Sequence, residues 1–325
     1  MPIATALTRL LDIEHPVLLG PMAFVSGGAL AAAVTHAGGL GFIGGGYGER
    51  DWLARELDAA GNARVGVGFI TWSLDRQPAL LELALERRPA CVWLSFVDLA
   101  PYAERIKQAG SLLFAQVQTV WGARGAVAAG ADIVVAQGTE AGGHADRRAT
   151  FPLVPAVADA VAPVPVVAAG GIADGRGLAA ALMLGADGAA LGTAFYAATE
   201  SLAHPAAKEI LVAASGDDTS RGRVFDFARG IDWPPPWTLR ALDNEFTQRW
   251  QSAPEELLHD AAEQRGYAAA RDAGDFATAG VLAGEAADLV RSTEPAADIV
   301  RRIVGGAEAL LRSASERVNQ HPGKA

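Results

Sequence analysis

The chain contains a single cysteine, Cys91, in 325 residues. One thiol makes no internal disulfide and no thiolate metal site. Cys91 sits in the apolar run Cys91-Val92-Trp93-Leu94-Ser95-Phe96, where a buried structural thiol is expected. Basic clusters are equally scarce: none exceeds Arg87-Arg88, Arg147-Arg148 or Arg301-Arg302, against a net charge of −10. That balance argues against nucleic acid or an anionic membrane as partner. No apolar run approaches the roughly 20 residues of a membrane span. The N-terminus, Met1-Pro2-Ile3-Ala4-Thr5, lacks the charged and apolar regions of a signal peptide, so a reducing, cytoplasmic setting is expected. No H-x-x-x-H pair or carboxylate cluster suggests a metal, and there is no G-x-S-x-G nucleophile elbow.

What the chain does have is glycine, 37 residues of it, placed at the ends of short apolar runs. Val17 to Leu19, Leu40 to Ile43, Val65 to Ile70, Cys91 to Phe96, Leu112 to Val117, Ile133 to Ala136, Pro165 to Ala169 and Gly188 to Leu191 read as eight strands. Helical stretches separate them, such as Pro101 to Ala109, with proline in its first turn and Gly110 past its end. Eight alternating units predict parallel strands with helical crossovers, hence an α/β fold closed as a (β/α)8 TIM barrel. The barrel is expected over residues 1–205, with a terminal helix from about 285–325 packing back on it. Residues 206–284 are expected to form a mostly helical lid, with helices near Leu239–Trp250 and Ala277–Arg291 among others. The run Ile231-Asp232-Trp233-Pro234-Pro235-Pro236-Trp237 is too rich in proline to be helical.

The strongest motif is paired glycine on successive strand ends: Gly170-Gly171 after the seventh strand and Gly192-Thr193 after the eighth. Loops there commonly bind phosphate in barrels. Ala169, Gly170, Gly171, Gly192 and Thr193 are expected to offer backbone N–H groups, with helix N-termini behind them. Glycines needed only for tight turns are the plainer alternative. Gly39-Leu40-Gly41-Phe42-Ile43-Gly44 fits a dinucleotide fingerprint but follows a helix and supplies the strand itself, so it is rejected. His144 ends Glu140-Ala141-Gly142-Gly143-His144 on the loop after the sixth strand, at the catalytic face of a barrel. A general base or a substrate anchor is expected there rather than a solvated loop histidine. Glu140 is read as solvent-facing or capping. Gln116 and Gln137 end strands at the barrel mouth, either to pair with a planar ring edge or as ordinary loop-edge amides.

Gly20-Pro21-Met22-Ala23, the run Gln137 to His144, Ala168 to Gly175 and Leu191-Gly192-Thr193 together resemble the nitronate monooxygenase family. The segments Ala283 to Leu289 and Ala296 to Leu311 are similar to that family's C-terminal part. The resemblance implies an FMN-dependent TIM barrel that oxidises alkyl nitronates or nitroalkanes, such as propionate-3-nitronate, with O2, giving carbonyl compounds and nitrite. It places the FMN phosphate on Gly142-Gly143, Gly170-Gly171 and Gly192-Thr193. Backbone at Pro21-Met22-Ala23 would lie against the isoalloxazine, Gln116 and Gln137 would meet its polar edge, Gly68 would belong to the cofactor site, and His144 would be the active-site histidine. Some relatives carry lysine where Gln116 stands. The same cup and Ala-Gly-Gly-His run occur in FMN-dependent enoyl-acyl-carrier-protein reductases and quinone reductases, so a nicotinamide-using reductase is the alternative. A small-molecule substrate and O2 are the implied partners, with no metal, and a homodimer is allowed.

Overall fold

The eight apolar runs become eight parallel strands in the computed structural model, which describes residues 3–96 and 98–319, with side chains through residue 314. In chain order the strands are β1 (Val17–Leu19), β2 (Phe42–Gly44), β3 (Gly66–Ile70), β4 (Cys91–Ser95), β5 (Leu112–Val117), β6 (Ile133–Gln137), β7 (Gly143–Ala145), β8 (Val166–Ala169), β9 (Gly188–Leu191), β10 (Thr219–Gly222) and β11 (Thr238–Leu242). Eight of them pair in the order β1-β9-β8-β6-β5-β4-β3-β2. The ring closes between β1 and Leu40, two residues before β2, where Leu19 N–H donates to Leu40 O at 3.0 Å and Leu40 N–H to Val17 O at 3.1 Å. The fold is therefore the TIM barrel that the alternation predicts.

These strands are apolar along their length because both faces are covered, by crossover helices outside and by one another's side chains inside. Within the barrel, Leu18, Phe42, Trp93, Phe114, Ile133 and Val167 form one packed cluster. Trp93 stacks on Phe114 with ring planes 7° apart, and Phe42 meets both edge-on. Leu7 and Leu11, from the helix Ala6–Leu11, join the same cluster. Filled from within, the barrel leaves only its carboxyl end for chemistry.

The helix Ala296–Asn319 packs on the helix Gly175–Met183 so closely that a Cβ on Gly175 would lie 2.4 Å from the Ala307 nitrogen. That helix begins at Ala296, where a terminal helix was expected from about residue 285; residues 320–325 of that expectation lie outside the described residues. No helix among the described residues is long and apolar enough to cross a membrane.

Two expected helices over the mouth are corrected. Where a helix was expected over Leu239–Trp250, residues 238–242 form β11, and a helix begins only at Glu245 behind the Asn244 cap. Leu239 and Ala241 alternate inward with Phe225, Phe246, Leu257 and Tyr267 in a core of their own. A five-residue alternation is too short to stand out in a sequence, but pairing with β10 on one side and β7 on the other fixes it. The stretch Ala277–Arg291 carries only a single 3-10 turn, Ala287–Leu289. It runs otherwise extended across the barrel mouth, held by Leu242 N–H to Val281 O and Glu285 N–H to Glu140 O, both at 2.9 Å.

Candidate active site

One cavity opens at the carboxyl ends of the strands, and all the predicted site residues line it. Pro21, Met22 and Ala23 enter from the loop after β1, Gly68 from β3, and Gln116 and Gln137 from the ends of β5 and β6. Gly142, Gly143 and His144 come from β7 and the turn before it. Ala169, Gly170 and Gly171 follow β8, and Gly192 and Thr193 follow β9.

The glycines do different work. Gly170 and Gly171 take φ of +99° and +71°, a region that glycine enters without a Cβ penalty. Among the described residues the N–H groups of Gly171, Gly192 and Thr193 have no protein acceptor. Unpaired amide hydrogens gathered on one cavity rim are the arrangement that can cradle an anion. Gly142 instead makes room for the lid: a Cβ there would stand 2.7 Å from the Ala283 carbonyl carbon. Gly68 makes room for the Pro21 ring, 2.3 Å from where its Cβ would be. The Thr193 hydroxyl oxygen accepts the Gly284 N–H at 3.0 Å, which ties the lid to the cradle and leaves the O–H to donate. Glu140 takes the Thr150 N–H and hydroxyl at 2.9 and 2.8 Å, a capping role at the start of the helix Thr150–Val161.

Across the cavity runs a chain of amides. Gln116 Oε1 accepts from Trp93 Nε1 at 3.2 Å and from the Ser95 hydroxyl at 3.3 Å. Gln116 and Gln118 then both donate to Gln137 Oε1, at 2.8 and 3.0 Å. Both lone pairs of that oxygen are used, so the Gln137 NH2 is left with two donors and no acceptor among the described residues.

His144 is not on a free loop. It lies in β7, opposite Leu239 of β11, and is 7% exposed. Its Nε2 stands 3.0 and 3.1 Å from the two carboxylate oxygens of Asp226, which is fully buried in the helix Val224–Ala228. Arg229 Nη2 donates to the same carboxylate at 2.6 Å, and its guanidinium lies 5.5 Å over the Tyr47 ring. Burial pushes the His144 pKa below its usual 6.5; Asp226 opposes the shift, while Arg229 and Arg221 add to it. Burial likewise raises the Tyr47 pKa. The ring of Trp233, an aromatic expected in the lid, packs on His144, and Tyr47 and Trp72 surround Trp233.

Sequence reasoning missed Asp226, Arg229 and Arg221. Arg221 donates to the Thr139 and Ala141 carbonyls, each at 2.8 Å, and so grips the turn that carries His144. A signal existed for Asp226: an aspartate between two phenylalanines in Val224-Phe225-Asp226-Phe227-Ala228 is an acid in an apolar setting, which needs a partner.

A closed parallel barrel whose mouth joins an anion cradle, an amide edge and a buried histidine defines a barrel enzyme. The family model described as nitronate monooxygenase matches residues 4–64 and 79–306, and the chain belongs to that oxidoreductase family. A nitronate monooxygenase of Metarhizium robertsii is 37% identical, over 91% of this chain and 92% of the relative. Among solved structures, FabK from Thermotoga maritima superposes with a TM-score of 0.85 at 32% identity, covering 97% of this chain and 99% of that one. Nitroalkane oxidase from Streptomyces ansochromogenes gives 0.81 at 30% identity, covering 94% and 99%.

Proposed function

We propose that this protein is an FMN-dependent oxidoreductase that converts alkyl nitronates and nitroalkanes, with O2, to carbonyl compounds and nitrite. The observation that carries the reading is the placement of free backbone donors and His144 on one cavity rim. The residues present suit a flavin mononucleotide. The N–H groups of Gly171, Gly192 and Thr193 answer a phosphate dianion, and the unpaired Gln137 amide answers a ring carbonyl edge. Gly170 keeps the turn open, and backbone at Pro21-Met22-Ala23 offers a flat side without a charged group. In this division, residues 1–205 hold the cofactor and 206–284 cover it.

FMN, when bound, supplies the redox chemistry, taking electrons from the substrate and passing them to O2. The chain's residues bind, orient and dehydrate. Phe96 and Trp233 wall the cavity beside His144, 5.0 Å apart between ring centroids, and Trp237 packs behind Phe96 at 5.6 Å. Such an apolar wall excludes water from a carbanion-like substrate. His144, kept neutral by its burial, is placed to take a proton.

The test is an anaerobic one on purified protein. Bound flavin gives a yellow protein, and propionate-3-nitronate is expected to bleach it rapidly. The likeness to FabK motivates the second reading, a nicotinamide-using reductase. Rapid bleaching by NADH or NADPH with none by the nitronate would select that reading and overturn the first.

A further inference from the structure

Among the described residues Asp226 is the buried carboxylate of this chain, with no exposure at all, and both of its oxygens lie within 3.1 Å of one histidine nitrogen. We propose that Asp226 is a positioning residue that holds His144 in the tautomer protonated at Nε2, so that Nδ1 is the base that deprotonates neutral nitroalkanes. The inference rests on the function proposed above and deepens it, by naming the residue that orients the histidine and the nitrogen that takes the proton of a nitroalkane.

An ionised carboxylate only accepts hydrogen bonds, so the hydrogen between it and the imidazole belongs to Nε2. A neutral imidazole then carries its lone pair on Nδ1. Nδ1 makes no hydrogen bond among the described residues, and the ring lines the cavity. Arg229 donates to the carboxylate and fixes its orientation through Nη2 at 2.6 Å, while its Nε is anchored on Phe225 O at 3.1 Å. Rotation of the imidazole is blocked by the Trp233 face on one side and by Phe96, edge-on at 6.2 Å, near it. The charged groups acting on His144 are Asp226 and Arg229 from the lid helix and its end and Arg221 from β10, with Tyr47 beside Arg229. Burial and the two arginines outweigh the carboxylate and favour the neutral ring at pH 7.

The step balances within the substrate and one side chain. The Cα–H bond of the nitroalkane breaks, its proton forms an N–H bond at Nδ1, and the bonding pair delocalises into the nitro group to give the nitronate. The positive charge on the imidazolium is matched by Asp226. No oxidant enters this step, so it can be watched without turnover.

The experiment uses holoenzyme labelled with 15N-histidine. In the wild type at pH 7, His144 is expected to show a protonated Nε2 and an unprotonated Nδ1. Anaerobically in D2O, nitroethane is expected to exchange its α-protons. Asp226→Asn is expected to lower kcat/KM for nitroethane by about 100-fold, the scale of losses when the partner of a working histidine is removed, and to leave ethyl nitronate within about threefold. Asp226→Glu, which keeps a carboxylate, is expected to restore part of the nitroethane activity. A wild-type His144 protonated at Nδ1, or equal loss on both substrates, overturns the proposal. If Asp226→Asn does not fold, the wild-type tautomer and exchange decide. Wild-type oxidation of ethyl nitronate without exchange of nitroethane overturns the base role alone. No oxidation of either substrate overturns the function it rests on.

Discussion

The imidazole of His144 lies flat on the indole of Trp233, with ring centroids 3.4 Å apart and planes inclined by 13°. Trp233 is fully buried, between Tyr47 and Trp72 on one side and Phe96 on another. Its replacement by alanine removes both the core packing of the lid and the wall that orients the histidine. Trp233→Ala is expected to cost about 3–5 kcal/mol of stability, read from the midpoint of urea unfolding. Trp233→Phe, which keeps a ring at the same place, is expected to recover most of it.

Gly170 takes φ of +99°, and a Cβ there would lie 3.0 Å from Gly138 O and from the Thr150 hydroxyl. Backbone strain of this kind costs about 1–3 kcal/mol, and relaxing it moves the neighbouring Gly171 amide. Gly170→Ala is therefore expected to weaken FMN binding by about tenfold and to destabilise the chain. Flavin fluorescence titration of the stripped protein checks the first effect, and thermal unfolding the second.

Arg221 is largely buried, and burial lowers its pKa to about 10. Its bonds to the carbonyls of Thr139 and Ala141 hold the turn before β7. In Arg221→Met those carbonyls lose a charged donor, at about 1.5–3 kcal/mol for each such bond. Faster amide hydrogen exchange across residues 140–145 is the expected result, with the barrel strands unchanged. Uniformly faster exchange would contradict a local clamp.

Gln137 Oε1 is the shared acceptor of Gln116 and Gln118. Gln137→Leu leaves two amide groups without it and removes the free NH2 at the cavity. FMN affinity is expected to fall by about tenfold, the equivalent of one hydrogen bond of about 1.4 kcal/mol. Unchanged affinity would show that the amide edge does not face the cofactor.

Because burial holds the folded His144 pKa below the usual 6.5, the unfolded chain takes up a proton first as pH falls. A base depressed in this way adds nothing unfavourable above pH 6.5; stability is lost as pH falls from 6.5 through the folded pKa. In His144→Gln, which still donates to Asp226 but does not titrate, the slope of unfolding free energy against pH is expected to be shallower over that window. An identical slope would place the linkage on other groups.

Barrel strands are legible in a sequence because each is a self-contained signal: an apolar run such as Val166-Val167-Ala168-Ala169, stopped by glycine, with a helix after it. The cradle is legible for the same reason, since Gly170-Gly171 and Gly192-Thr193 lie at fixed places on that repeat. β11 has no comparable signal. Its five residues are stable as a strand only because β7 and β10 flank them, and β7 is three residues long.

The sequence by itself determined the parallel barrel, the glycine rim and the histidine beside it, since local periodicity and strand-end chemistry are written within a few consecutive residues. Only the tertiary structure decided what His144 is. Asp226 is 82 positions away along the chain, and its bond to the imidazole forms when the lid sheet pairs β11 with β7 and brings the helix Val224–Ala228 over the barrel mouth. Contacts at such separation come from packing two distant segments together, and no window of sequence contains both partners.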